Sequence, residues 1–110
     1  MNYSWRIIKL SLQDELNGDN VLLENAIVRV QWKRVAEDTD GTSASYLGFT
    51  DLNPSTTSAA DFTALNDVTK VLVVQWIEEA LTPTGIARVN TKLGEKVEKN
   101  RLNTITPSWN

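Results

Sequence analysis

The amino-acid sequence predicts an α+β fold, in which a three-stranded antiparallel sheet comes first and helices follow. The main observation is that the spacing of apolar residues changes along the 110-residue chain. Before Pro54 the spacing is mostly two residues, as in half-buried strands, and after Ser58 it is near 3.6 residues, as in amphipathic helices. Strands followed by helices are typical of α+β folds rather than of alternating β-α units. We expect a single domain over 1–110, with a sheet over 1–52, helices over 58–101 and a tail over 102–110.

The first strand is predicted over Tyr3–Leu12, and apolar residues occupy both of its faces. This pattern indicates either a central strand or a β-bulge near Ile7 and Ile8 that reverses the alternation. Asp14–Asn20 is rich in turn-forming residues and predicts a loop.

The second strand, predicted over Leu22–Val35, has the clearest alternation. One face is apolar and the other polar, as expected for a sheet with one dry side; the two sets are Ala26, Val28, Val30 and Trp32, and Arg29, Gln31 and Lys33. A polar connection with an Asp-Gly turn signal leads to a third strand over Ser43–Leu52. Within it, Gly48 indicates a bulge or the close approach of another backbone. The tail could add a short fourth strand.

Two to three helices are expected to cover one face of this sheet. Ser58 and Asp61 have the spacing of a capping box and predict a short helical turn through Phe62 and Leu65. A helix over Val68–Leu81, capped by Asp67, is predicted to end at Thr82-Pro83, and a last helix follows from about Thr84 to Arg101. The predicted core contains Trp32, Val28, Val30, Tyr46, Leu72, Trp76, Ile77, Ile86, Val89 and Leu93.

The chain contains no histidine and no cysteine, so the commonest general base, metal ligand and thiolate nucleophile are all missing. The segment Asp38–Thr42 resembles part of a calcium loop, but the first acidic ligand and the bidentate glutamate are absent, and a hairpin turn explains it better. Glu78 and Glu79 are adjacent on a helix and diverge by about 100°, which does not suit a pair of catalytic carboxylates. We therefore expect no enzyme activity, no catalytic residue, no cofactor and no metal ion.

Two groups of residues are candidates for contact with a partner. Lys92, Lys96 and Lys99 share one face of the last helix and could meet phosphates, although a solvated helix face is the simpler interpretation. Trp5 lies on a strand that is apolar on both sides, and Trp109 must either fold back on its own domain or dock on a neighbour.

The net charge of −3 and the sequence of the N-terminus limit partners and location. A mild negative charge argues against a general binder of polyanions, so a nucleic-acid partner is not expected. The chain begins without the pattern of a signal peptide and has no run long enough to span a bilayer, so a cytoplasmic protein with no membrane partner is expected. Three strands form a narrow sheet, and we expect a second copy to cover its apolar remainder in a homo-oligomer.

Several short motifs together resemble a known family. They are Trp5-x-Ile7, Trp32, Ser43-Ala44-Ser45-Tyr46-x-Gly48, Val74-x-Trp76-Ile77-Glu78 and Pro107-Ser108-Trp109. This combination, which extends over nearly the full chain, resembles small uncharacterised proteins of tailed bacteriophages, including phages of marine bacteria. The resemblance implies no catalytic residue. It implies a phage setting, in the host cytoplasm or in the virion, with a non-enzymatic structural or assembly role through contacts with virion proteins. The alternative is an accessory or regulatory module that binds a host protein or nucleic acid during infection.

Overall fold

A computed structural model of the chain describes residues 1–102 and 107–109, without the side chain of Thr56. It confirms the α+β class and the three-stranded antiparallel sheet, whose strand order is β1-β2-β3. A single long helix follows the strands. The elements are β1 Asn2–Leu16, β2 Leu22–Glu37, β3 Ser43–Asp51 and α1 Lys70–Asn100, with short 3-10 turns at Pro54–Thr56 and Leu65–Asp67.

The irregular pattern of β1 is produced by β-bulges. Its pairing with β2 shifts register between Ile7 and Lys9, which confirms the bulge predicted near Ile7-Ile8. Two further shifts, between Ser11 and Leu12 and between Gln13 and Glu15, allow β1 to continue to Leu16, beyond its predicted end. The shift near Ile8 leaves that residue unpaired, so that Ile7 and Leu10, on either side of it, are both half-buried and pack against the core.

Both hairpin turns are closed by local hydrogen bonds. In the first, the buried Asn17 accepts hydrogen bonds at its Oδ1 from the backbone N–H groups of Asp19 and Val21, both at 2.9 Å. In the second, Gly41 has a φ of 84° and donates its N–H to the carbonyl of Asp38 at 3.0 Å. A left-handed φ of this kind favours glycine, which explains the Asp-Gly signal.

The core lies between α1 and one face of the sheet, which we call the inner face. Trp32 occupies its centre, where its Nε1 donates to Thr50 Oγ1 at 2.9 Å and its ring stacks on that of Tyr46. Gly48 is directly opposite Trp32, and a Cβ atom at Gly48 would lie 2.4 Å from Trp32 Cζ2. The close approach expected at Gly48 is therefore made by an indole ring and not by a backbone.

The prediction of two to three helices is not met, because residues 58–69 form only turns and α1 is one helix with a kink. The kink lies at Thr82, with φ 64° and ψ 163°, directly before Pro83. Proline disfavours the helical conformation of the residue before it, which explains why the helical geometry is interrupted at Thr82. The helix begins later than predicted, at Lys70, and Thr69 caps it instead of Asp67, through a bond from Leu72 N–H.

Several predicted core residues are only half-buried. Leu72 and Trp76 line a cavity below the 53–63 segment, and Ile86 lies beside the kink; Val28 and Tyr46 are also half-buried. Ile77, a predicted core residue, is fully buried, and Val73, one turn before it on the same side of α1, is buried with it. Buried apolar residues outside the predicted core are Leu23, Ala26, Ile27, Ala36, Ala44, Val73 and Val97. The predicted fourth strand of the tail falls on a segment that includes residues 103–106, which lie outside the described residues.

Candidate functional site

The second face of the sheet, which we call the outer face, is not covered by α1 and combines basic with apolar side chains. Its residues alternate with those of the inner face, and the strand pairing places them in rows across the sheet. Two central rows contain three cationic side chains and two exposed apolar ones. They are Arg6, Lys33 and Leu47, and Lys9, Gln31 and Phe49.

Four cationic side chains, two of them from the first of these rows, line one depression of about 870 Å³, which we call the basic groove. Arg6 and Lys33 come from the sheet, and Lys96 and Lys99 come from α1. The remaining lining residues are uncharged and are Val35, Ser43, Ala44, Ser45 and Asn100. Within residues 1–102 and 107–109, none of the four cations forms a salt bridge, so their charge is available to an anion.

Contacts between α1 and the edge of β3 bring the two halves of the basic groove together. Lys96 Nζ donates to the carbonyl of Ser45 at 3.0 Å, and Asn100 Nδ2 donates to the carbonyl of Ser43 at 2.8 Å. Lys96 Nζ also lies 5.5 Å from the centroid of the Tyr46 ring. These bonds satisfy outward carbonyls of an edge strand and hold the last turns of α1 at that edge.

Arg101 joins the end of α1 to the β2–β3 turn through a cluster of carboxylates. Its guanidinium contacts Asp38, Asp40 and Glu98, and the Nε–Oδ2 distance to Asp40 is 3.0 Å. The N–H of Thr42, together with Arg101, lowers the pKa of Asp40 to about 2. The two aspartates of the calcium-like segment therefore accept hydrogen bonds from Arg101 and from their own turn, in agreement with the hairpin interpretation.

Arg34 is a buried cation on the inner face. Its Nε donates to Asn90 Oδ1 at 2.8 Å, and its guanidinium carbon lies 4.3 Å from the Trp5 ring centroid and 5.1 Å from that of Tyr3. Burial lowers the pKa of Arg34, which the nearby Glu78 opposes. Since the aromatic rings and Asn90 surround the guanidinium, Arg34 acts in packing between β2 and α1.

Exposed apolar side chains recur along β1 and at the tip of its hairpin with β2. We call Ile8, Leu12, Leu16 and Leu22 the β1 flank; they are between 42% and 57% exposed, and Leu16 lies directly opposite Leu22. Within the described part of the chain, the backbone of β1 forms hydrogen bonds on the β2 side only. An apolar strand with an open edge is a typical contact surface for another chain.

The structure separates the residues that the sequence grouped as partner contacts. Trp5 lies on the inner face, half-buried, with its ring edge-on to Trp32 at a centroid distance of 5.2 Å. Trp109 is 85% exposed and does not pack on the described domain. Lys96 and Lys99 lie in the basic groove, whereas Lys92 is exposed and does not line it.

Arg6 and the β1 flank were not recognised as candidates from the sequence. The polar face of β2 identified Lys33 as solvent-facing, but Arg6 precedes a bulge on a strand whose faces are both apolar. The signal that could have found Arg6 is its register with Lys33, which requires the pairing of the two strands. In the described ranges, no three acidic residues cluster as a metal site would need, and no helix is long and apolar enough to cross a bilayer.

The fold and these surfaces define a small α+β protein with one open sheet face and an open strand edge. The chain belongs to the family called Domain of unknown function (DUF7936), which it matches over residues 1–109. No curated protein and no solved structure matches the chain. The family description names no activity, partner or virus, so the resemblance to phage proteins stays a prediction.

Proposed function

We propose that this chain is a non-enzymatic structural or assembly protein of a tailed bacteriophage, which acts through protein–protein contacts that include other copies of itself. The motif resemblance supports the phage setting. The β1 flank supports the mode of action, because three of its four apolar side chains belong to β1, whose outer edge pairs with no other strand among the described residues.

Pairing of two copies along β1 would satisfy both features at once. The open edge of β1 can add a neighbouring strand through main-chain hydrogen bonds, and Leu12 and Leu16 lie on this strand. Burial of Leu12, Leu16 and Leu22 against the second copy would remove apolar surface from water. The bulges restrict this pairing to part of the strand, which favours a closed pair over an open fibre.

Light scattering coupled to size-exclusion chromatography tests this proposal directly. We expect a mass that rises from one copy towards two as protein concentration increases, and loss of this rise in a Leu12→Lys/Leu16→Lys variant. The control is Val71→Lys, because Val71 is an exposed apolar residue on α1 and is not part of the β1 flank. A monomer at every concentration, or equal effects of the control and the flank variant, would contradict the proposal.

The basic groove favours a second candidate, an accessory module that binds a host protein or nucleic acid during infection. Quantitative mass spectrometry of purified phage particles separates the two roles. A structural protein is expected in the particle at a fixed copy number, and a regulator is expected in the infected cell but not in the particle.

A further inference from the structure

We propose that the outer face of the sheet binds single-stranded nucleic acid, with phosphates in the basic groove and a base on Phe49. This inference concerns a different surface from the β1 flank and does not depend on self-association. It starts from the uneven distribution of charge over the molecule.

The basic groove concentrates positive charge on a chain whose net charge is −3. Its four cations share one depression, and among residues 1–102 and 107–109 no carboxylate lines it. Lys9 extends this charge by one row along the outer face. Such a cluster attracts an anion with several charges in a row, and a phosphodiester backbone is an anion of this kind.

Hydroxyl and amide groups accompany the cations in the groove. Ser43, Ser45 and Asn100 line it together with Lys96 and Lys99. Phosphate oxygens are commonly bound by lysine, serine and asparagine side chains acting together. The groove therefore offers both charge and hydrogen-bond donors to the phosphates.

Phe49 favours a nucleic acid over an acidic protein segment as the ligand of the basic groove. It is 59% exposed in the row next to Arg6 and Lys33, and the guanidinium of Arg29 lies 5.7 Å from its ring centroid. An aromatic ring beside a basic groove is the usual platform on which an unpaired base stacks. Paired bases are not accessible to such a ring, so a single strand is favoured over a duplex.

Fluorescence anisotropy with a labelled oligothymidine tests this proposal. The groove variant is Lys33→Gln/Lys99→Gln. Its control is Arg88→Gln/Lys92→Gln, which removes the same charge from exposed positions of α1 outside the groove. Because each phosphate contact on a single strand contributes about 0.7 to the salt dependence, the groove variant should reduce that slope by about 1.4. The control should leave the slope unchanged.

Phe49→Ala tests the stacking step separately, with Val71→Ala as an exposed apolar control on α1. We expect Phe49→Ala to weaken binding at least about fivefold, which is the lower limit for loss of one base–aromatic contact. Circular dichroism should show all variants folded, since their substituted side chains are not part of the buried core.

Three outcomes would overturn the proposal. One is absence of oligothymidine binding at low salt. Another is failure of the variants to separate the groove and Phe49 from their controls, seen as equal effects of each variant and its control. The third is binding of polyglutamate as tight as that of oligothymidine, which would assign the groove to an acidic protein segment.

Discussion

The two faces of the sheet differ in what they bury and in the kind of residue they present. The inner face places Trp32 and Val30 against α1, and its one buried cation, Arg34, is surrounded by aromatic rings and Asn90. The outer face leaves Leu47 and Phe49 exposed beside cations that have room for an anion. The difference indicates that the inner face supplies stability, whereas the outer face is available for contact.

The largest expected effect compares a leucine packed on the inner face with a leucine on the outer face, and tests whether only the inner face supplies stability. Leu93 is fully buried against the inner face, and Leu47 is 55% exposed on the outer face. Leu93→Ala should lower the free energy of unfolding by about 2–5 kcal/mol, because it leaves a cavity. Leu47→Ala should change it by no more than about 0.5 kcal/mol. Urea denaturation measures both, and similar losses would show that the outer face is also packed.

Two glycine substitutions compare the closely packed centre of the inner face with an open position on α1. Gly48→Ala places a Cβ against the buried Trp32 ring and should destabilise the fold by about 1–3 kcal/mol. Gly94→Ala, on α1, has no atom within 4 Å of the added Cβ and should stabilise the helix by about 1 kcal/mol. Thermal denaturation distinguishes the two. Unchanged stability of the Gly48→Ala variant would contradict the packing of the Trp32 ring against Gly48.

The smallest expected effect concerns the β2–β3 turn, where salt bridges of Arg101 with Asp38 and Asp40 join the end of α1 to the sheet. The folded pKa of Asp40, about 2, lies below its ordinary value of 3.8, and the pKa of Asp38 is also lowered. A depressed folded pKa contributes stability above pH 3.8, which is lost as the pH falls towards 2. The melting temperature of the wild type should therefore fall more over this interval than that of Arg101→Gln.

The control for this pH effect is Arg88→Gln, which removes an exposed α1 cation that is far from the carboxylate cluster in sequence. Its melting curve should keep the wild-type pH dependence. Part of the Asp40 shift should also survive in Arg101→Gln, because the N–H of Thr42 makes the largest contribution to it. Identical pH profiles for all three proteins would exclude a role of Arg101 in acid stability.

The sequence was a good guide where local physics decides the structure. Alternation in β2 from Val30 to Ala36, the bulge near Ile7 and the interruption of the helix before Pro83 each depend on neighbours in the chain, and each appears in the structure. The burial of Arg34 was not predictable in this way, because its aromatic neighbours come from β1 and its acceptor Asn90 from α1.

The candidate sites depend even more strongly on residues that are distant in the chain. The sequence placed Lys92, Lys96 and Lys99 on one helical face, but the relevant cluster is Lys96 and Lys99 with Arg6 and Lys33. Its two sheet members are separated from its two helix members by more than 60 positions in the chain, so only the packing of α1 on the β3 edge brings them together. The open edge of β1 likewise depends on the strand order, which a linear pattern does not specify uniquely.

Hydrogen exchange along β1, measured at low and at high protein concentration, tests most directly whether the uncovered edge of the sheet is a contact surface. The account predicts that peptides within Asn2–Leu16 become slower to exchange as concentration rises, while the rate in residues 29–37 of β2, which pair with both β1 and β3, stays constant. The Leu12→Lys/Leu16→Lys variant should remove this added protection. Exchange in β1 that is independent of concentration would contradict pairing of copies along this strand.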